Sequence, residues 1–300
     1  METMTLSATD GYELSLQIWV AEEAKGCVQI LHGMEEHKER YERFVRYLCE
    51  SGFTVVISDM RGHGRNAPFP GFFSEKDGWN LLLSDQKQIT AYIQKRFGVE
   101  KVYLFAHSMG TIIARNLLQT ESVQYEKVVL EGYPNDPGKI ATSFGIFLCN
   151  VIGAIRGQDY YSLLIQKLGV GRFIKSVENP KTASDWISFD EENVKAYLED
   201  PYCGCGFRVS AFRDLFILVR KMSEVKKYEN VCGTLPILMI CGENDPCTGF
   251  EKGRKKSVRT LRDAGFHQIQ TKVYPHMRHE LLNDKGKKLV MEDILRFFCS

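Results

Sequence analysis

Three hundred residues, 44% of them hydrophobic, suffice to bury a large core, so the chain has the size of one α/β unit with an insertion, or of two domains. Its 39 basic and 38 acidic residues leave a net charge of +1, which argues against a nucleic-acid footprint. Nine cysteines at irregular spacing, and an opening Met-Glu-Thr-Met-Thr-Leu-Ser without a basic stretch before an apolar run, set the expectation of a reduced, cytoplasmic protein. The close pair Cys203-Gly-Cys205 has the wrong spacing for common zinc sites and reads as loop packing.

In chain order, residues 13–20 alternate, with Leu14, Leu16, Ile18 and Val20 on one side, and residues 25–31 follow after a polar turn, which predicts an opening antiparallel pair. A polar loop, His32-Gly-Met-Glu-Glu-His37, leads to a helix over 40–50 with Phe44, Val45 and Leu48 inward, stopped at Gly52. A buried-type strand at 54–57 precedes Asp59-Met-Arg-Gly-His-Gly64, and 81–96 has helical spacing. A strand leads into Ser108, a helix covers 109–118, and a short strand covers 127–131. This alternation predicts a doubly wound, mostly parallel sheet.

From Pro134 to about Cys232 no strand-like run occurs, and helical stretches lie near 140–155, 191–199 and 207–222. The expectation is a core made of residues 1–133 and 233–300 with a helical cap inserted at 134–232. Residues 140–155 fall short of the ~20 apolar residues a spanning helix needs. Phe144, Phe147, Leu148, Val151, Ile152 and Ile155 instead recur on one broad helical face, as expected of an amphipathic helix over a pocket or core. If that face lines a tunnel, Phe147 and Ile152 are candidate contacts for a substrate chain. The rhythm resumes with a strand at 235–240, a helix within 251–264, a strand at 269–274 and a last helix near 287–298.

The chemistry centres on Val102-Tyr-Leu-Phe-Ala-His-Ser-Met-Gly-Thr111. An apolar strand ending in Ala-x-Ser-x-Gly is one substitution from the Gly-x-Ser-x-Gly nucleophile elbow, where a serine hydroxyl stands above the sheet at a helix N-terminus. Serine is a poor nucleophile at neutral pH. An imidazole must take its proton, and a carboxylate must orient and stabilise that imidazole. After the strand at 235–240 comes Cys241-Gly-Glu-Asn-Asp-Pro246, and after the strand ending at Tyr274 comes Pro275-His-Met-Arg-His-Glu280. Both lie at C-terminal strand ends, where parallel sheets place their chemistry.

Ser108, Asp245 and His279 are thus the candidate nucleophile, acid and base. His276 competes with His279, which is preferred because Glu-Leu-Leu after it resembles a helix start. Glu243 and Asp136 compete with Asp245, Asp136 because some hydrolases take the acid from the strand before the cap. His276 and His279 as a metal pair lack further ligands at suitable spacing. His63 and His107 read as structural or pocket-lining, and the basic run from Lys252 to Arg259 as a solvated helix face. Backbone N–H groups of Met34 and Met109 are the candidate oxyanion donors.

Four stretches together resemble the monoacylglycerol lipase and lysophospholipase branch of the α/β-hydrolase superfamily. His32-Gly-Met-Glu-Glu-His-Lys-Glu-Arg-Tyr41 resembles its His-Gly-x-x-Glu-His-x-x-Arg-Tyr stretch, and Asp59-Met-Arg-Gly-His-Gly64 its Asp-x-x-Gly-His-Gly loop. Ala106-His-Ser-Met-Gly110 is similar to its Gly-His-Ser-Met-Gly elbow, with alanine for the usual glycine, and Gly242-Glu-Asn-Asp-Pro246 to its Gly-x-x-Asp-x acid turn. The resemblance implies an α/β-hydrolase fold and hydrolysis of a single-chain acyl ester through an acyl-enzyme. It also implies Glu36 and Arg40 near the polar end of the pocket, and a cap carrying the acyl chain. No cofactor is called for, and the expected partner is a small lipid or ester, with transient membrane-surface contact through the cap. The other readings are an amidase or peptidase of the same fold, and a non-catalytic ligand receptor.

Overall fold

The computed structural model describes residues 1–300. Eight strands form one sheet: β1 (Glu2–Ser7), β2 (Glu13–Trp19), β3 (Gly26–Leu31), β4 (Phe53–Ser58), β5 (Val102–His107), β6 (Tyr125–Glu131), β7 (Ile237–Gly242) and β8 (Ile269–Tyr274). Their order across the sheet is β1-β2-β4-β3-β5-β6-β7-β8. From β4 to β8 every pairing is parallel, while β2 is antiparallel to both β1 and β4. This is the α/β-hydrolase fold.

The opening pair differs from expectation. β2 does not pair with the strand at 25–31; it lies between β1 and β4, and β3 pairs with β4 and β5. The alternation of β2 reports a half-covered edge, but alternation carries no information about which strand sits beside it. β1 escaped the sequence reading because its pattern is mostly polar and it lies exposed at the sheet edge. Val20, grouped with the inward residues, lies past the strand end and is exposed.

Central strands are apolar nearly end to end because helices cover both faces. On one face Leu104, Val128, Leu130, Ile237 and Met239 meet α2 (Gly78–Phe97) and α3 (Met109–Leu117). On the other, Phe105, Val129, Leu238 and Ile240 meet α1 (Glu42–Glu50) and the C-terminal helix Lys287–Cys299.

Between β6 and β7 the chain adds no strand to the sheet and forms α4 (Lys139–Arg156), α5 (Leu163–Gly169), α6 (Glu191–Glu199) and α7 (Val209–Lys221). Local signals start two of these helices: Ser162 and Asp190 cap α5 and α6 by accepting backbone N–H groups. This segment does not have a core of its own. Phe212, Leu215 and Leu218 of α7 belong to the same buried cluster as Leu82 of α2 and Ile113 of α3. Cys203 and Cys205 sit in the loop before α7, and burial pushes both thiols up, that of Cys205 to about 12.

α4 reverses the expected orientation. Its small-residue face (Thr142, Gly145, Cys149, Gly153) is buried, with Gly145 against the ring of Phe216 on α7. Phe144, Phe147, Val151 and Ile155 point to solvent, Phe147 at 62% exposure. The expected six-residue stripe is split, since Leu148 and Ile152 pack against the core while the other four are exposed.

Candidate active site

Ser108 sits between β5 and α3 with φ 50° and ψ −115°, a left-handed conformation that turns its side chain out of the sheet. Gly110 is required by space: a Cβ there would lie 2.4 Å from the Leu31 carbonyl oxygen and 2.8 Å from that of His32. Ala106, which replaces the family glycine, is fully buried in the strand before the turn. Its methyl group is accommodated by the same elbow.

The three residues proposed from sequence converge although 171 positions separate serine from histidine. Ser108 Oγ lies 2.7 Å from His279 Nε2, and His279 Nδ1 lies 3.0 Å from Asp245 Oδ2. With Nδ1–H donated to Asp245, Nε2 is free to accept the serine proton. The other Asp245 oxygen accepts the Cys247 N–H at 2.8 Å, which fixes the carboxylate. Gly132 lets β6 pass beside the imidazole; at its φ of +58° a side chain would be strained, and a Cβ would lie 3.1 Å from His279 Nδ1. Trp186 covers the ring at a 4.9 Å centroid separation.

Burial alone would push His279 down, but the Asp245 carboxylate outweighs it and holds the imidazole above its ordinary value of 6.5. A proton acceptor must be neutral. The pH profile of kcat/KM is therefore expected to rise through one ionisation above 6.5 and then level off, and a profile falling through that range would contradict the assignment.

Neighbouring histidines are otherwise engaged. His32 donates from Nδ1 to the Gly33 carbonyl (2.7 Å) and accepts the Met60 N–H at Nε2 (2.9 Å), tying the loop after β3 to the loop after β4. His63 packs between His32, Phe73 and Phe207. His276 is exposed and outside the cleft, and Asp136 bonds to Lys256. Residues after His279 form turns rather than the anticipated helix start, and the next helix begins at Lys287.

Met34 and Met109 both border the cleft beside Ser108. Met109 opens α3, where first-turn N–H groups have no intrahelical partner. The Met34 loop is braced by Glu36, whose carboxylate accepts the Gly33 N–H at 2.5 Å and the Tyr41 hydroxyl at 2.7 Å.

The cleft around Ser108 is open to solvent at its mouth. Ile112 of α3 and Phe212, Leu215, Phe216 and Val219 of α7 supply apolar lining, and Glu35, Glu36, Tyr197 and Glu280 supply polar groups. One sequence expectation is corrected here. Phe147 and Ile152 do not line the cleft; Phe147 faces solvent, Ile152 packs on the core, and α7 lies between α4 and the cavity. Arg40 stands beside the polar lining groups, as the resemblance implies, but does not itself border the cleft. Its guanidinium lies behind the wall, bonded to Glu36 at 2.6 Å and to both Glu280 oxygens at 2.8 and 2.7 Å. Burial raises Glu36, whereas for Glu280 the attraction of Arg40 overcomes burial and lowers it.

Sequence reasoning missed Trp186, Glu280 and the α7 lining. Glu280 carried a signal, a lone charge between the candidate base and Leu281-Leu282. Nothing local marked α7 as nearer the site than α4.

The sequence profile of the family described as serine aminopeptidase, S33 matches residues 22–286. The chain belongs to this family. The monoacylglycerol lipase of Mycolicibacterium smegmatis is 23% identical, with 99% of this chain and 96% of that protein aligned. Human monoglyceride lipase is 24% identical over 79% of this chain and 71% of its own. The crystal structure of a highly thermostable carboxyl esterase from Bacillus coagulans in complex with glycerol superposes with a TM-score of 0.91 at 25% identity, covering 99% and 97% of the two chains.

Proposed function

We propose that the protein is a serine hydrolase that cleaves carboxylic esters of a single acyl chain, of monoacylglycerol or lysophospholipid type, through an acyl-Ser108 intermediate. The observation that carries this reading is the Ser108–His279–Asp245 hydrogen-bond chain opening into a cleft lined by apolar side chains of α3 and α7 together with a few carboxylates. Lipase and esterase relatives support it from outside.

In the proposed reaction Ser108 Oγ attacks the ester carbon as its proton passes to His279 Nε2, and Asp245 stabilises the resulting imidazolium. Met34 and Met109 N–H groups hold the oxyanion. Collapse breaks the ester C–O bond, and His279 returns the proton to the leaving alcohol. Water then repeats the sequence on the acyl-serine, releasing the acid.

An aminopeptidase-like reading of the family description needs carboxylates free to bind an ammonium group. Glu36 and Glu280 already share Arg40, and burial raises Glu35, whose side chain accepts from Gln166. Esters are therefore favoured over aminoacyl amides. Comparison of monoacylglycerols with aminoacyl anilides tests this: higher kcat/KM on the anilides would overturn it.

Residues 134–232 are proposed to act as the cap, with α7 rather than α4 guiding the chain. Each buried methylene contributes up to ~0.8 kcal/mol, so kcat/KM is expected to climb with acyl length until the apolar lining is covered, then fall. Val219→Trp is expected to move that optimum to shorter chains while sparing acetate esters. A flat wild-type profile would contradict the channel.

The outward face of α4 is proposed to rest on lipid surfaces. Contrary to the expectation from residues 140–155, the full helix Lys139–Arg156 is long and apolar enough to cross a membrane by length and composition, but its small-residue face is committed to α7. Ile140, Phe144 and Phe147, with Leu163 and Leu164 of α5, remain for contact in the plane of an interface. A Phe144→Ser/Phe147→Ser variant is expected to lose vesicle binding while hydrolysing soluble esters normally. Undiminished vesicle binding would place the contact elsewhere.

A further inference from the structure

Glu131, the last residue of β6, joins both halves of the site from behind. Its backbone carbonyl accepts the Ser108 N–H at 2.9 Å. Its side-chain Oε1 accepts the Leu281 N–H at 2.7 Å and the Leu282 N–H at 3.4 Å, two and three residues beyond His279. One residue therefore grips the nucleophile turn and the loop bearing the base. It does not border the cleft and is 1% exposed.

The remaining groups around it are unusual for a buried acid. Oε2 has no hydrogen-bond partner, nor does Nδ1 of His107, the residue opposite on β5. Both residues line a small void with Glu36, Tyr41 and Glu280. No lysine or arginine pairs with Glu131, and the His107 ring lies 3.6 Å from Oε1. Burial raises Glu131 well above the ordinary carboxylate value and lowers His107 well below that of an imidazole, so burial favours the neutral form of both. A neutral acid still presents a carbonyl oxygen to Leu281 and Leu282, which an apolar side chain in the same volume cannot do.

We propose that Glu131 is a positioning residue that fixes the His279 loop in register with the Ser108 elbow. The proposal rests on the assignment of Ser108 and His279 made above.

Glu131→Gln keeps the carbonyl acceptor and Glu131→Leu removes it. Both are compared with wild type by kcat and KM per fluorophosphonate-labelled site, by the rate of labelling, and by the downfield proton resonance of His279 Nδ1–H. The Gln variant is expected to stay within about threefold of wild type. The Leu variant is expected to lose roughly tenfold or more in kcat and labelling rate, with KM within about twofold, because the loss falls on alignment rather than binding. Its downfield resonance is expected to broaden or vanish. Should the Leu variant fail to fold, Glu131→Asp, which withdraws the acid by one methylene, is expected to show the same kcat loss in milder form. Wild-type kcat and labelling in the Leu or Asp variant would overturn the proposal, as would a Gln variant as impaired as the Leu variant. Wild-type protein that labels at a residue other than Ser108 would overturn the underlying assignment instead.

Discussion

Ser108→Ala is expected to leave a folded protein whose ester turnover falls on the order of 10⁴ to 10⁶-fold, measured as kcat on a long-chain p-nitrophenyl ester. The loss is large because the substitution removes the only atom placed to attack, Oγ at 2.7 Å from His279 Nε2, and so abolishes the covalent route. The fold survives because alanine keeps the Cβ and adds no strain beyond what serine already bears at φ 50°. The hydrogen bond lost is worth about 1 kcal/mol, so thermal unfolding should change little. A Ser108→Ala protein with more than about one-hundredth of wild-type kcat would remove Ser108 from the mechanism.

His279→Ala is expected to cost a comparable factor, on the order of 10⁴ or more in kcat, while His276→Ala stays within about threefold. These two histidines lie three residues apart, yet only His279 is buried between Ser108 and Asp245 under Trp186. His276 is exposed at a left-handed turn position. Its replacement should affect stability by about 1 kcal/mol at most and chemistry hardly at all. The reverse ranking of the two variants would transfer the base to His276.

What was legible in the sequence was what local chemistry encodes. The elbow needs a small residue two positions after the serine, and Gly110 meets that demand against Leu31 and His32. The acid and base could be placed because each follows an apolar strand, and parallel sheets bring such ends to one edge. The relationships between distant segments were not legible. The pairing of β2 with β4, the bonding of Arg40 to Glu280 and the clamp from Glu131 to Leu281 each join segments far apart in the chain. The α4 error has a related cause. Periodicity grouped Phe144, Phe147, Leu148, Val151, Ile152 and Ile155 as one face, of which Leu148 and Ile152 pack on the core and the other four face solvent; an apolar face has the same spacing whether it meets a substrate, a core or a lipid surface. Here Gly145 packs against Phe216 of α7, α7 lines the cavity, and Phe144, Phe147, Val151 and Ile155 are left facing solvent.

Whether Ser108 forms a covalent intermediate with a single-chain acyl substrate guided along α7 is read out by labelling the wild-type protein with a long-chain alkyl fluorophosphonate and mapping the adduct by peptide mass spectrometry. One adduct per chain is expected, on Ser108, formed faster as the alkyl chain lengthens and blocked by prior addition of a monoacylglycerol. A stoichiometric adduct on any other residue, or an unlabelled protein that retains full ester turnover, would contradict this role of Ser108.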